Sequence, residues 1–318
     1  MNSYHYIFNE RGIPMKSLKT VTATLAVLFF VICSHASAAE SPNRALLEEM
    51  GCQKALIVNA DDLGRSPHSN AAILRGFREG ILTSTSLMTP ALAAREAYDL
   101  VRDNPDLDVG VHLVLARDDA PGNLYGPVSP LEKVASLVDP DGNFFTDMDY
   151  VLREGDKKEV LGELHAQLRA ALDNGVDVTH LDCHKGFYHT YDPKSLKATL
   201  MIAQRYDLPI RWVGSAADPT LKKHGIVVTD YITGFDMATE HETKKERLLE
   251  ILANLKEGIT ELFVHPASGG FTESEAAARG SELALVLDPD IRNAIEDNGI
   301  CLIGYRELRD FQRKMNKE

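Results

Sequence analysis

The stretch Lys54–Gly64, KALIVNADDLG, decides the prediction of the fold. Residues Ala55–Asn59 form a short apolar run rich in β-branched side chains, which predicts a buried strand. Asp61 and Asp62 follow at once, and Ser66-Pro67 then predicts the cap and first turn of a helix. A buried strand that leads through an acidic turn into a helix is a typical unit of an α/β fold.

The same alternation of strand and helix continues along the chain. Further strands are predicted at 83–88, 109–115, 178–183, 210–213, 226–229, 260–264 and 300–303, and further helices at 91–104, 158–174, 193–206, 239–257 and from 290 onward. About eight strands separated by helices imply parallel strands with crossover helices. No G-x-G-x-x-G sequence follows the first strand, which argues against a dinucleotide-binding sheet. We therefore predict an irregular, TIM-barrel-like (β/α) barrel in a single domain, with an open α/β sheet as the alternative.

The amino-terminal region has the composition of an export signal. Lys16 and Lys19 precede an apolar run from Val21 to Cys33, and Ala36-Ser37-Ala38 forms an A-x-A cleavage site. A membrane anchor is the alternative, but the run is shorter than the roughly 20 apolar residues that a span requires. The predicted organisation is a signal peptide at 1–38, an N-terminal extension at 39–53 and a barrel domain at 54–318. We expect a periplasmic or secreted protein with no stable membrane span after cleavage.

The net charge and the cysteine content each argue against a class of protein. The chain has 318 residues and a net charge of −13, which becomes −15 when the three basic residues and one acidic residue of the signal are removed. So acidic a protein repels phosphate backbones, and we therefore expect no nucleic-acid partner. The four cysteines are Cys33, Cys52, Cys183 and Cys301. They contain no CxxC pair, so we expect neither a disulfide framework nor a thiolate zinc cluster.

Polar residues that can perform chemistry stand at the predicted strand ends. Like charges in the pair Asp61-Asp62 raise one another's pKa, and a bound cation would relieve this. One carboxylate would then bind the cation while the other takes a proton from water. A solvated turn with a capping Asp is the alternative for this pair, and a core position is the alternative for His112. Together, Asp62, His112 and His184 make an O/N/N set suited to a divalent ion with open positions, which favours hydrolysis.

Three further histidines are candidates for the same site. His265, in the His-Pro sequence after a later strand, would protonate a leaving group. By the two-residue period of a strand, His180 shares a face with Asp182 and His184 and is a candidate for lining the site. His189, in the aromatic sequence FYHTY, is a candidate substrate contact. The long polar stretch 116–156 is expected to cover the substrate groove.

At these residues the chain resembles the YdjC/ChbG/HpnK family of carbohydrate deacetylases. The resemblance is carried by LIVNADDLGRSPHSNAAILRGFREGILTSTSLM, LDVGVHLVL, VTHLDCH and FVHPA. It implies an irregular (β/α) barrel that uses a divalent metal ion, magnesium or zinc, to remove acetyl groups from N-acetylated sugars. It also implies the roles of five residues: Asp62, His112 and His184 as metal ligands, Asp61 as the base, and His265 as the acid or carbonyl polariser.

The chain departs from this family in the sequence after the third metal ligand. Many members continue with further histidines, as in S-H-x-H-x-H, whereas this chain has CHKGFYH. With its export signal, the chain resembles a divergent, exported branch. The expected function is amide hydrolysis that releases acetate from an N-acetylated sugar or oligosaccharide. The alternatives are an O-acyl ester or peptide amide hydrolase on the same metal site, and a non-catalytic periplasmic carbohydrate-binding protein. The oligomeric state, including a homodimer, is left open.

Overall fold

The strands that the structure describes form one parallel sheet. The computed structural model describes residues 41–189, 192–236 and 239–317, so the predicted signal peptide lies outside the described residues. The strands within these ranges are β1 Lys54–Leu63, β2 Ser84–Leu87, β3 Val109–Leu113, β4 Val178–Cys183, β5 Tyr231–Thr233, β6 Gly258–Val264 and β7 Cys301–Leu302. Their order is β4-β3-β2-β1-β6-β5, and β7 pairs with the first half of β1. The sheet curls into a half-barrel, which confirms the predicted irregular (β/α) barrel.

The crossover connections are helical, and several of them begin with the same local signal. The helices are α1 Asn43–Met50, α2 Pro67–Glu79, α3 Ala94–Asp103, α4 Met148–Glu154, α5 Lys157–Asp173, α6 Pro193–Tyr206, α7 Pro219–Lys223, α8 His241–Ala253, α9 Glu273–Val286, α10 Pro289–Asp297 and α11 Tyr305–Met315. Helices α2, α6, α7 and α10 each start with a Ser or Asp cap followed by Pro, which has no N–H to leave unpaired. Among the described helices, none has the length and apolar character needed to cross a bilayer.

Two predicted strands were wrong. Residues 226–229 make no ladder, because side chains pair with their backbone instead: the N–H of Val227 donates to Gln312, and the carbonyl of Val228 accepts from Asn43. Residues 210–213 form only an isolated bridge, at Ile210 beside Leu181 of β4. Strand β5 lies just after the first of these segments and was not predicted.

Helix α9 was also absent from the prediction, although the sequence carries a signal for it. Thr272 accepts the N–H of Glu275, and the Glu275 carboxylate accepts the N–H of Phe271. A Thr followed three residues later by Glu is a recognised helix start. The helix interior is rich in alanine, which has the highest helix propensity.

The two faces of β1 pack against different helices. Leu56 and Val58 belong to the large core on the outer face of the sheet. Ala55 and Ile57 belong to a second core that includes residues of α1 and α11. Because strand residues alternate between faces, Asp61 continues the face of Ala55 and Ile57. Helices α1 and α11 therefore cover the inner face near the strand starts, while the strand ends carry the polar residues.

Within the part of the chain that the structure describes, one disulfide joins Cys52 to Cys301, with the Cα atoms 6.4 Å apart. The sequence analysis predicted no disulfide framework, and this bridge was not predicted. It forms because Ala55 of β1 pairs with Cys301 of β7, which brings Cys52 close to its partner. Cys183 is free and buried.

We expect the double substitution Cys52→Ser/Cys301→Ser to lower the free energy of unfolding by about 2–4 kcal/mol, because the bridge closes a long loop in the unfolded chain. Urea unfolding of the variant and the wild type measures the difference. A reductant should lower the midpoint of the wild type to that of the double variant and leave the variant unchanged. A wild-type midpoint that does not respond to reductant would contradict the prediction.

Candidate metal centre

Asp62 ends β1 in a backbone conformation that few non-glycine residues adopt. Its φ is 74°, in the left-handed region, which costs about 1 kcal/mol or more and is typical of functional sites. Its buried Oδ2 accepts a hydrogen bond from Arg279 at 2.6 Å, whereas its buried Oδ1 has no hydrogen-bond partner among the described residues. Burial favours the neutral acid, but Arg279 and His184 hold the pKa of Asp62 well below its usual range. Asp62 therefore presents one anionic, unpaired oxygen.

Two histidines point a ring nitrogen at this same oxygen. The Nε2 atom of His112 lies 3.4 Å from Asp62 Oδ1, and the Nδ1 atom of His184 lies 3.5 Å from it. Ligand atoms at about 2.1 Å from a tetrahedral ion lie about 3.4 Å from one another. The structure thus brings the three predicted ligands together, and their spacing fits a divalent cation.

Two carboxylates each bind the other ring nitrogen of one of these histidines, the nitrogen that does not face Asp62. Asp182 lies 2.8 Å from Nδ1 of His112, and Asp118 lies 3.0 Å from Nε2 of His184. Each carboxylate accepts the N–H of its histidine, so the lone pair of the other nitrogen faces Asp62. Burial opposes the charged imidazolium, but these carboxylates raise the pKa of both histidines. Protons therefore compete with the cation, and its affinity should rise with pH.

Asp118 is a functional residue that the sequence reasoning missed. It lies in the 116–156 stretch, three residues after the LDVGVHLVL sequence, and Arg65 donates to it at 3.1 Å and 3.2 Å. The 116–156 stretch thus reaches the metal centre through this carboxylate.

We expect Asp118→Ala to weaken metal binding about 10–100-fold, because His184 would lose the partner that fixes its orientation. Competition with a fluorescent chelator measures the affinity. Asp119→Ala, at the exposed neighbouring position, is the matched control. Equal affinities in the two variants would show that Asp118 does not support the ligand.

Asp61 points to the inner face and is held by an arginine. The two carboxylate oxygens of Asp61 accept from Arg211 at 2.6 and 2.7 Å, and Asn59 donates to Oδ1 at 2.9 Å. Arg211 also binds Glu261 at 2.7 Å and lies 3.1 Å from Asp182. The buried guanidinium thus neutralises part of a cluster of three carboxylates and fixes the plane of the Asp61 carboxylate. No local pattern around Arg211 predicts this role.

His265 lies on the other side of Asp61. Its Nε2 is 3.7 Å from Asp61 Oδ2, and its Nδ1 is 3.7 Å from Glu282 Oε2. Its side chain is 23% exposed, so a substrate can reach it. Burial lowers the pKa of His265, but Glu282 and Asp61 outweigh this effect and raise it. The ring is therefore favoured in the protonated form that a proton donor needs.

The other two candidate histidines, His180 and His189, are not among the described residues whose ligand atoms converge as a possible metal site. His180 is fully buried, stacks on Tyr305 with ring centroids 3.8 Å apart, and covers Gly110, where a Cβ would lie only 2.3 Å from its ring. Burial lowers the pKa of His180 to about 3. His189 packs against Tyr188, and its ring nitrogens have no hydrogen-bond partner among the described residues. A substrate contact at His189 stays a prediction.

Known proteins are similar in sequence to nearly the whole of this barrel. The family described as YdjC-like protein matches residues 55–297. A carbohydrate deacetylase of Thermoanaerobacter pseudethanolicus is 34% identical over 264 residues, which cover 80% of this chain and 100% of the relative. A carbohydrate deacetylase of Geobacillus stearothermophilus is 34% identical over 263 residues, which cover 79% of this chain and 97% of the relative. The crystal structure of an Enterococcus faecalis V583 protein, described as a cellobiose-phosphate cleavage protein, is also similar. It superposes with a TM-score of 0.68 at 28% sequence identity, and the match covers 80% of this chain and 99% of that chain.

Proposed function

The chain belongs to the YdjC-like protein family, and on this premise we propose that it is a metal-dependent carbohydrate deacetylase that removes acetyl groups from N-acetylated sugars. The observation that carries the proposal is the convergence of His112 Nε2 and His184 Nδ1 on the unpaired Oδ1 of Asp62. Two imidazoles and one carboxylate suit zinc better than magnesium, which prefers oxygen ligands. The curated relatives named carbohydrate deacetylase support the reaction class.

The residues around the metal ligands supply the proton transfers. When bound, a divalent ion would polarise the acetyl carbonyl and lower the pKa of water at the site. The carboxylate of Asp61, oriented by Arg211, takes the proton of the attacking water. His265, 3.7 Å from Asp61, donates a proton to the amine as the C–N bond breaks. Acetate and the amino sugar are the products.

We also propose that the protein works outside the cytoplasm. The sequence of residues 1–38 predicts an export signal. The Cys52–Cys301 disulfide supports the same location, because such bridges persist in the periplasm and outside the cell and are rare in reducing cytosol. Fractionation of cells that express the full chain tests this: the shortened protein should appear in the periplasm or medium.

A substrate panel tests the reaction class. Acetate release would be measured on N-acetylglucosamine oligomers, O-acetylated sugars and an N-acetylated peptide, each with and without chelator. Chelator-sensitive release from the N-acetyl sugars alone is the expected result. Release from the O-acetyl sugars or the peptide alone would assign an esterase or a peptide amidase. Tight sugar binding without any release would assign a carbohydrate-binding protein.

A further inference from the structure

A buried ion pair lies directly behind His265. Lys244 of α8 has a fully buried side chain, and its Nζ donates to Oε1 of Glu282 of α9 at 2.9 Å. Glu282 is also buried, with 1% of its side chain exposed. Burial favours the neutral acid, but His265 and Lys244 lower the pKa of Glu282 to about 2. Glu282 is therefore a buried carboxylate, held beside the Nζ of Lys244.

Stability alone does not account for such a pair. Removing two charges from water costs several kcal/mol per ion, and apolar side chains of similar volume often stabilise as well or better. The outer core around α8 and α9 already buries Leu248, Leu252 and Leu285. An apolar pair would extend that core, so the charges need another explanation.

The second oxygen of Glu282 is directed at His265. Oε2 accepts the backbone N–H of His265 at 2.6 Å and lies 3.7 Å from its Nδ1. Glu282 thus divides its two oxygens between Lys244 and His265. Arg279, three residues earlier on α9, donates to Asp62. Helix α9 therefore supports both the metal ligand and the proton donor, and Lys244 connects it to α8.

We propose that Lys244 is a positioning residue for the deacetylation reaction, which acts through Glu282 to hold the His265 ring beside Asp61. The proposal rests on the proposed function, in which His265 donates the proton. With its Oε1 bound to Lys244, Glu282 cannot rotate away from His265. Without that cation, the carboxylate is free to leave the backbone N–H and the ring, and the ring loses its fixed orientation.

The test removes both charges together, because removal of one would leave the other buried without a partner. In K244M/E282Q the methionine fills the lysine volume, and the amide oxygen of glutamine still accepts the His265 N–H. The matched control is K245M, in the same helix, where Lys245 pairs with Asp288 at 2.8 Å and Asp290 at 2.7 Å near the surface. Lys244→Gln is a second variant that keeps an N–H donor for Glu282.

We expect kcat for acetate release to fall about tenfold or more in K244M/E282Q and in Lys244→Gln, because small misplacements of a catalytic group are costly. KM, metal content and the urea midpoint should stay near those of K245M. Unchanged kcat in both variants would overturn the proposal, and so would a kcat loss that follows the loss of metal or of folded protein.

A second readout separates this proposal from the proposed function. NMR of ring-labelled histidine should give one narrow His265 signal in the wild type and K245M, and a broadened or shifted signal in Lys244→Gln, in which Glu282 is unchanged. This result would hold even if no acetate were released, in which case only the proposed function fails. An identical His265 signal in all three proteins would overturn the positioning role whatever the activity.

Discussion

Substitution of Asp62 by alanine is expected to abolish both metal binding and acetate release. The Oδ1 atom of Asp62 lies close to ring nitrogens of both His112 and His184, at 3.4 and 3.5 Å. Without this oxygen, only the two imidazoles of the set remain. Loss of a residue that merely hydrogen-bonds a metal ligand weakens metal binding by up to roughly 100-fold, so loss of a ligand should weaken it further. Metal content after gel filtration, measured by mass spectrometry, is the direct readout.

His184→Ala provides the companion variant, because Asp62→Ala also leaves Arg279 without its buried partner and lowers stability. In His184→Ala, the carboxylate of Asp118 keeps its contacts with Arg65 and Lys185. The control is the exposed Asp106→Ala, which should bind one equivalent of metal. Stoichiometric metal in both Asp62→Ala and His184→Ala would refute the site.

Asp61→Asn is expected to lower kcat about 10²–10⁴-fold while one equivalent of metal remains bound. Asparagine keeps the shape of the side chain, and its oxygen still accepts from Arg211, but it cannot take a proton from water. Because Asp61 lies outside the set Asp62, His112 and His184, and both of its oxygens are bound by Arg211, the metal content should equal that of the wild type.

Acetate release and metal content, measured on the same samples, check this prediction. If the variant kept the wild-type rate, the base would have to be another residue. If it lost the metal together with activity, Asp61 would be a ligand and not the base. Unchanged sugar binding is expected in either case, so an assay of binding serves as the control for folding.

Local signals were enough to predict the barrel and to single out the three residues whose side chains converge in the structure. The apolar run Ala55–Asn59 and the two aspartates after it are consecutive in sequence, and the two-residue period of a strand puts Asp61 on the same face as Ala55 and Ile57. His112 and His184 lie in or directly after predicted strands, and parallel strands bring their ends together.

Two arginines that support the site could not be predicted, because folding brings each of them in from a distant segment. Arg211 lies 150 residues from Asp61, and Arg279 lies 217 residues from Asp62. Neither belongs to a motif, and a charged residue is normally solvated. Arg211 reaches the site because its segment bridges β4 at Leu181. Only the tertiary structure reveals such contacts.

The predicted strands at 210–213 and 226–229 failed for a related reason. Their β-branched composition is typical of a strand, but strand pairing needs a neighbouring backbone. At Val227 and Val228, side chains of α11 and of the residue Asn43 supply the hydrogen bonds instead. The disulfide was missed similarly, since Cys52 and Cys301 are 249 residues apart and only the pairing of β1 with β7 joins them.

The most direct test of a catalytic metal in this protein is a zinc titration of chelator-treated protein, with acetate release from an N-acetylglucosamine oligomer as the readout. We expect no release from the metal-free protein, a rate that rises in proportion to added zinc, and a plateau at one equivalent per chain, with no rise in His184→Ala. Acetate release that is unaffected by the chelator, or equal zinc dependence in His184→Ala, would contradict a catalytic metal held by Asp62, His112 and His184.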